Sequence, residues 1–122
     1  MLQEEELTGK IIGVAMKIHR ELGPGFKENI YHRAVIGILI QGNIQVETEK
    51  QFNVFMDKIK IGTFRADLLV EGRVIVEIKA ISGKMPKIFQ SQVISYLKAS
   101  HLKVGLLLNF GNPSLEFQRL VY

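Results

Sequence analysis

The chain has 122 residues and carries 16 Lys and Arg against 12 Asp and Glu, a formal net charge of +4. Its length predicts a single domain over residues 1–122, and the absence of cysteine excludes disulfide frameworks, thiolate nucleophiles and Cys-based zinc sites. The mild positive excess is compatible with a polyanionic partner but does not identify one.

Composition also argues against a membrane protein. The longest charge-free stretch, Ala34 to Val46, is broken by Gln41-Gly42-Asn43 and is too short to span a bilayer. The chain begins acidic (Glu4, Glu5 and Glu6), where a secretory signal would be basic and then apolar. We therefore expect a cytoplasmic protein with no membrane partner.

The first two predicted elements are helices. Apolar residues from Leu7 to Leu22 recur at steps of three and four, which is typical of an amphipathic helix, and Gly23-Pro24-Gly25 ends it. A second helix is predicted from about Phe26 to Gln41, where Gly42-Asn43 follows.

From Gln45 the hydrophobic period changes to two, which predicts strands. The strands are expected at about 45–56, 59–70 and 73–79, followed by a helix at 87–100 and an apolar strand at 103–110 that is covered on both faces. Residues 115–122 could add an edge strand. The order α-α-β-β-β-α-β predicts an antiparallel meander whose last strand is joined by the following helix to a parallel neighbour. The predicted fold class is α/β, a mixed sheet flanked by helices.

The third strand carries the most unusual pair of residues. Glu77 and Lys79 stand two apart in an otherwise apolar strand, so they share one face. A same-face ion pair at a strand end would account for them. A metal-binding carboxylate beside a cation that receives an anionic substrate would account for them equally well.

Asp67 on the preceding strand is also flanked by apolar residues. Two carboxylates on neighbouring strands beside a lysine would suit Mg²⁺ or Mn²⁺, which can activate water on a phosphodiester. This site depends on register. A two-residue turn at Glu71-Gly72 would separate the carboxylates, so the hypothesis requires a three-residue connection or a bulge.

Asp67 followed by Glu77-Ile78-Lys79 on adjacent strands resembles the PD-(D/E)xK nuclease superfamily. Gly25-Phe26-Lys27-Glu28-Asn29-Ile30-Tyr31 is similar to the signature of the GxxExxY family within that superfamily. The similarity runs from about residue 11 to the C-terminus and includes His19 to Gly25, Arg65 to Val70, Gln92 to Leu97 and Val104 to Gly111. It implies a restriction-endonuclease-like core.

The resemblance also implies site residues. Those that match the family's metal ligands for Mg²⁺ or Mn²⁺ are Glu28, Asp67, Glu77 and the backbone carbonyl of Ile78. Lys79 matches the catalytic lysine, so the implied catalytic set is Glu28, Asp67, Glu77 and Lys79.

Further residues are assigned around this set. Gln92 and Tyr96 match a Gln-x-x-x-Tyr motif associated with positioning nucleic acid, and helical spacing puts them on one stripe. His19 could line the cleft, although the last turn of a helix also favours a cation. Tyr31 is expected in the core or around the cleft rather than among the reacting groups. His32 shows no metal-ligand spacing and is expected at the surface.

The leading hypothesis is a metal-dependent nuclease that hydrolyses DNA in repair, recombination or defence. The alternatives are a non-catalytic nucleic-acid-binding or assembly module that keeps the fold, and an enzyme acting on another phosphate ester. We expect DNA as partner in preference to RNA. A homodimer would suit the cutting of two strands, although no residue indicates it.

Overall fold

The computed structural model describes residues 4–122. The elements follow the order α1-α2-β1-β2-β3-α3-β4-β5 and confirm the predicted order, including the last strand. Their bounds are α1 Glu5–Leu22, α2 Glu28–Gln41, β1 Val46–Met56, β2 Ile59–Val70, β3 Val74–Lys79, α3 Ile88–Ser100, β4 Val104–Asn109 and β5 Glu116–Val121. Within this described part of the chain, no helix is both long and apolar enough to cross a membrane.

The strands form one five-stranded mixed sheet in the order β1-β2-β3-β4-β5. β1, β2 and β3 make the predicted antiparallel meander. α3 then crosses over so that β4 lies parallel to β3, and β5 pairs antiparallel with β4. The parallel pair therefore occupies the middle of the sheet, where the α3 crossover covers one of its faces.

Helices cover both faces of the sheet. α1 and α2 pack on one face through the largest core cluster, and α3 packs on the other through two smaller clusters. β3 shows the alternation directly, because Val74, Val76 and Ile78 join the α1–α2 side whereas Ile75 joins the α3 side. All six residues of β4 are buried, which confirms the predicted strand with two covered faces.

The β1–β2 hairpin is much longer than the pairing of β2 with β3. Its turn at Asp57 and Lys58 has φ 48° and 68°, as expected for the tight turns that suit the twist of a hairpin. β2 pairs with β1 along its length, whereas only Leu68 to Val70 pair with β3. The strands β2 and β3 therefore separate just before Leu68, and the candidate site lies at this separation.

Candidate active site

The connection between β2 and β3 determines where the two acidic residues lie. Val70 pairs with Val74, so Glu71, Gly72 and Arg73 form a three-residue connection, and Glu71 and Gly72 have positive φ. Continuing this register brings Asp67 opposite Glu77 rather than opposite Val76. The required three-residue connection is present, and the plain two-residue hairpin that would separate the carboxylates is not formed.

Asp67 and Glu77 bind each other through the backbone where regular pairing ends. The Glu77 carboxylate accepts the N–H of Asp67 at 2.7 Å, and the Asp67 carboxylate accepts the N–H of Ile78 at 2.8 Å. Each acidic side chain thus takes a backbone donor that would otherwise be left without a partner as the strands diverge. This arrangement fixes both carboxylates at the gap between β2 and β3.

The strand around Asp67 is irregular. Ala66 and Leu69 pack in the same cluster beneath α3, although strict alternation would place residues three apart on opposite faces. On the other side, Glu49 stands opposite Asp67 with φ 54°, a left-handed conformation that is uncommon for a side-chain-bearing residue in a strand. This distortion lets the Asp67 carboxylate reach the helices on the α2 side.

Two α2 side chains approach the same carboxylate. Glu28 lies in the first turn of α2, where the helix dipole favours a negative charge, and His32 follows one turn later. His32 Nε2 lies 3.4 Å from Glu28 Oε1 and 3.4 Å from Asp67 Oδ2. The expectation that His32 is a surface residue is wrong, because its side chain is only 17% exposed. The i, i+4 spacing of Glu28 and His32 was the signal that could have found it.

These contacts shift the pKa values of His32, Asp67 and Glu77 in different directions. The hydrogen bond to Asp67 raises the pKa of His32 above its usual value, against the opposing effect of burial. Burial disfavours ionisation of Asp67, but hydrogen bonds from His32 and from the Ile78 backbone outweigh it and lower the Asp67 pKa. Burial and the negative charge of Asp67 raise the pKa of Glu77 to about 8. At neutral pH Asp67 is therefore ionised while Glu77, only 4% exposed, holds a proton.

The donor set fits a divalent cation. One ligand atom each from Glu28, His32 and Asp67 lie within 4.8 Å of one another. Carboxylate oxygen and imidazole nitrogen together suit ions such as Mn²⁺, and the oxygens alone suit Mg²⁺. Glu77 lies outside this set of three and contacts Asp67 through that residue's backbone N–H, and Ile78 follows Glu77 in β3. The groove beside the group measures about 500 Å³ and is lined by Glu28, Asn29, His32, Arg33, Ile36, Thr48, Glu49 and Asp67.

Lys79 stands at the end of β3 and is half-buried. Its Nζ lies 4.3 Å from the centroid of the Phe89 ring on α3. Across residues 4–122, no carboxylate comes within ion-pair distance of Lys79. The simple ion pair with Glu77 that the sequence left open is therefore not formed.

α3 contributes the residues expected to contact substrate. Tyr96 stacks on Phe64 at 4.2 Å between ring centroids, and Phe64 stacks on Phe52 at 5.0 Å. Burial, and after it the negative charges of Glu77 and Asp67, raise the pKa of Tyr96. Gln92 is half-buried one turn before Tyr96 on the same helix.

His19 and Tyr31, considered as cleft residues, lie in the core instead. Tyr31 is fully buried and stacks on Phe110 at 4.7 Å, so it is closed to a ligand in the groove. Its hydroxyl donates to the Gly23 carbonyl at 2.6 Å and accepts the N–H of Phe26 at 3.2 Å. His19 is 8% exposed and donates to the Asn112 carbonyl at 2.8 Å. The Tyr31 side chain therefore fixes the turn before Glu28, whereas the His19 side chain ties α1 to the loop after β4.

Sequence reasoning also missed Asn109, a fully buried residue at the end of β4. Its side chain accepts the N–H of Ile81 at 3.0 Å and of Gly111 at 3.1 Å. It donates to the Ile81 carbonyl at 3.1 Å and to Glu116 at 2.8 Å. Asn109 therefore clamps the loop that follows Lys79. The sequence feature that could have indicated this role is the single amide side chain of Asn109 at the end of an apolar strand.

Comparison with known proteins agrees with this architecture. A crystal structure of SSO0001 superposes with a TM-score of 0.59 at 21% identity, over 76% of this chain and 50% of that one. The present chain thus spans about half the length of that protein, and the likeness concerns the fold. No curated protein sequence matches. The sequence profile of the PD-(D/E)XK nuclease superfamily matches residues 5–120, nearly the whole chain. The chain belongs to the PD-(D/E)XK nuclease superfamily.

Proposed function

We propose that this protein is a divalent-metal-dependent nuclease that hydrolyses DNA phosphodiester bonds. The observation that carries the proposal is the reciprocal hydrogen bonding of Asp67 and Glu77 at the strand separation, with Glu28 and His32 within ligand distance of Asp67. Membership of the superfamily supports a nuclease-like function for this group.

The proposed metal ligands are Glu28, Asp67, Glu77, the carbonyl of Ile78 and, as an addition from the structure, His32. A bound Mg²⁺ or Mn²⁺ would lower the pKa of a coordinated water and neutralise charge on the phosphate. Without the cation the groove gathers negative charge and would repel a phosphate backbone. The carboxylates therefore serve to hold the cation rather than to contact substrate directly.

Lys79 is the proposed catalytic lysine. Its ammonium can orient the attacking water or stabilise negative charge that develops on the phosphate. Tyr96 and Gln92 on α3 are proposed to position the nucleic-acid strand, because they match the Gln-x-x-x-Tyr motif associated with that role in the superfamily.

We further propose that the chain belongs to the GxxExxY branch of the superfamily. The structure offers a physical reason for the spacing in this signature. Tyr31 binds the Gly23 carbonyl and the Phe26 amide, which ties the Gly-Pro-Gly turn to the start of α2. Glu28, three residues before Tyr31, is thereby held in the first turn of α2 beside Asp67.

The decisive experiment is cleavage of end-labelled single-stranded DNA, double-stranded DNA and RNA by purified protein in EDTA, Mg²⁺ or Mn²⁺. We expect metal-dependent cleavage of DNA that Asp67→Ala and Lys79→Ala each lower by at least about a hundredfold. Glu6→Ala and Lys10→Ala serve as matched controls, because both side chains are largely exposed on α1, away from the groove.

Failure to cut DNA with either metal, or variants as active as the parent, would contradict the proposal. DNA binding that is equal with and without metal and falls steeply with salt, without cleavage, would instead support the non-catalytic module. Mass measurement during the assay would show whether the active species is the proposed homodimer.

A further inference from the structure

We infer that Phe89 is a positioning residue that holds the Lys79 ammonium over its ring and keeps it from pairing with Asp67 and Glu77; the inference rests on the proposed function. The two groups are in direct contact, with Nζ 4.3 Å from the ring centroid. An ammonium within about 6 Å of an aromatic face is attracted by the negative face of the ring.

The ring is itself held in place. Phe89 is the second residue of α3 and packs against a buried cluster of Met85, Val93 and Leu107. A lysine side chain has a long flexible stem and samples many conformations when nothing contains it. A fixed ring at the end of β3 restricts those conformations and gives the ammonium one preferred position.

The backbone of Lys79 and the loop that follows it are tied to the end of β4. The N–H of Phe110 donates to the Lys79 carbonyl at 2.9 Å. Asn109 binds both the N–H and the carbonyl of Ile81 in the loop that leads to α3. The loop between Lys79 and Phe89 is therefore anchored close to Lys79, which fixes the start of the connection between the two residues.

The position of the ammonium matters for metal binding. A lysine that collapsed onto Glu77 or Asp67 would occupy the carboxylates with a competing positive charge. Lys79 makes no such ion pair among the described residues, although it stands two residues after Glu77 on the same strand face. The Phe89 ring thus holds the ammonium on the α3 side and leaves the carboxylates available to a cation.

The contact can be tested by NMR in the metal-free protein. In the parent protein we expect ring current to shift the Lys79 ε-methylene protons upfield, because they lie near the ring face. Phe89→Tyr should keep the shift and Phe89→Leu should remove it. Phe117→Leu, a change at a partly exposed ring on β5, should leave it unchanged. Unshifted Lys79 protons in the parent would overturn the inference.

The consequence is tested by a cycle of Mn²⁺ affinities measured by calorimetry. Phe89→Leu should weaken binding roughly three- to tenfold, the range that a cation–π contact supplies, and Phe89→Tyr should not. In a Lys79→Ala background, Phe89→Leu should have no further effect. An equal loss in both backgrounds would show that the ring acts only through packing and would overturn the inference. If the parent binds no Mn²⁺, the proposed metal site fails, while the NMR shift still decides whether Phe89 holds Lys79.

Discussion

The buried carboxylate of Glu77 accepts the backbone N–H of Asp67 at 2.7 Å, at the point where β2 and β3 cease to pair. A side chain here replaces a strand carbonyl as hydrogen-bond acceptor. The point where the two strands diverge is therefore stabilised by a residue of the proposed metal site. Removal of the Glu77 carboxylate would therefore remove a proposed metal ligand and leave the backbone N–H of Asp67 without its acceptor.

The metal-free protein should become less stable as pH rises, because the folded state must give up the proton held by Glu77. Its pKa rises from 4.5 to about 8 on folding, because of burial and the charge of Asp67. Between these values the folded state binds the extra proton, so stability is full below about pH 4.5 and is lost towards pH 8. The slope for one proton is at most about 1.4 kcal/mol per pH unit. Urea unfolding in EDTA across this range measures it.

Glu77→Gln keeps the shape of the side chain and removes its titration, so it should flatten this decline. The raised pKa of His32 acts in the same direction from about pH 6.5 upwards, and a shallow slope should remain there. The exposed Glu6→Gln is the control and should behave as the parent. A Glu77→Gln protein whose stability falls as steeply as that of the parent would refute the assignment.

Much of this architecture follows from local patterns. The change of hydrophobic period at residue 45, the Gly-Pro-Gly turn and the Asp57-Lys58 turn sufficed to predict the order of the elements. The alternative registers of Asp67 and Glu77 were also predictable, because each is set by the length of one short connection. The structure selects the three-residue connection through the positive φ of Glu71 and Gly72.

The remaining features depend on distances between elements that are remote in sequence. The spacing of His32 from Glu28 shows that the two share one face of α2, but it does not show that this face meets Asp67 on β2. Asn109 binds Ile81, 28 residues away, across a loop whose course no periodicity describes. The irregularity of β2 at Asp67 could not be predicted either. A prediction from alternation assumes that successive side chains always point to opposite faces of the sheet.

Loss of His32 should weaken Mn²⁺ binding more than Mg²⁺ binding. Imidazole is a better ligand for Mn²⁺ than for Mg²⁺, which prefers oxygen. We expect His32→Ala to lower Mn²⁺ affinity about tenfold, with a smaller change for Mg²⁺. Calorimetric titration gives both affinities. In the parent, electron spin echo spectra of bound Mn²⁺ should show coupling to a histidine nitrogen.

The control for this change is His101→Asn. His101 is exposed beyond α3 and has φ 63°, a conformation that asparagine tolerates, so neither affinity should change. Parallel losses for the two metals in His32→Ala would mean that the histidine only orders Glu28 and Asp67. The nitrogen coupling would then be absent from the parent spectrum too.

Asn109→Ala should destabilise the protein by about 2 kcal/mol, because it leaves the partly buried N–H and carbonyl of Ile81 without their partner. Asn109→Asp keeps the acceptor for Ile81 but faces the Glu116 carboxylate, so it should be at least as harmful at neutral pH. Urea denaturation measures both, with the exposed Asn53→Ala as reference. A cost for Asn109→Ala below about 1 kcal/mol, no more than a typical single hydrogen bond contributes, would show that the loop does not depend on this clamp.

Tyr31→Phe should distinguish the contribution of ring packing to stability from that of the hydroxyl hydrogen bonds. The stack on Phe110 is kept, whereas the bonds to the Gly23 carbonyl and the Phe26 amide are lost. We expect stability to fall by about 1–2 kcal/mol. Because those bonds tie the turn to the start of α2, metal affinity should fall as well through a less ordered Glu28. Tyr122→Phe, at an exposed ring, should change neither quantity. A stability loss with unchanged metal affinity would mean that α2 holds Glu28 in place without help from the turn.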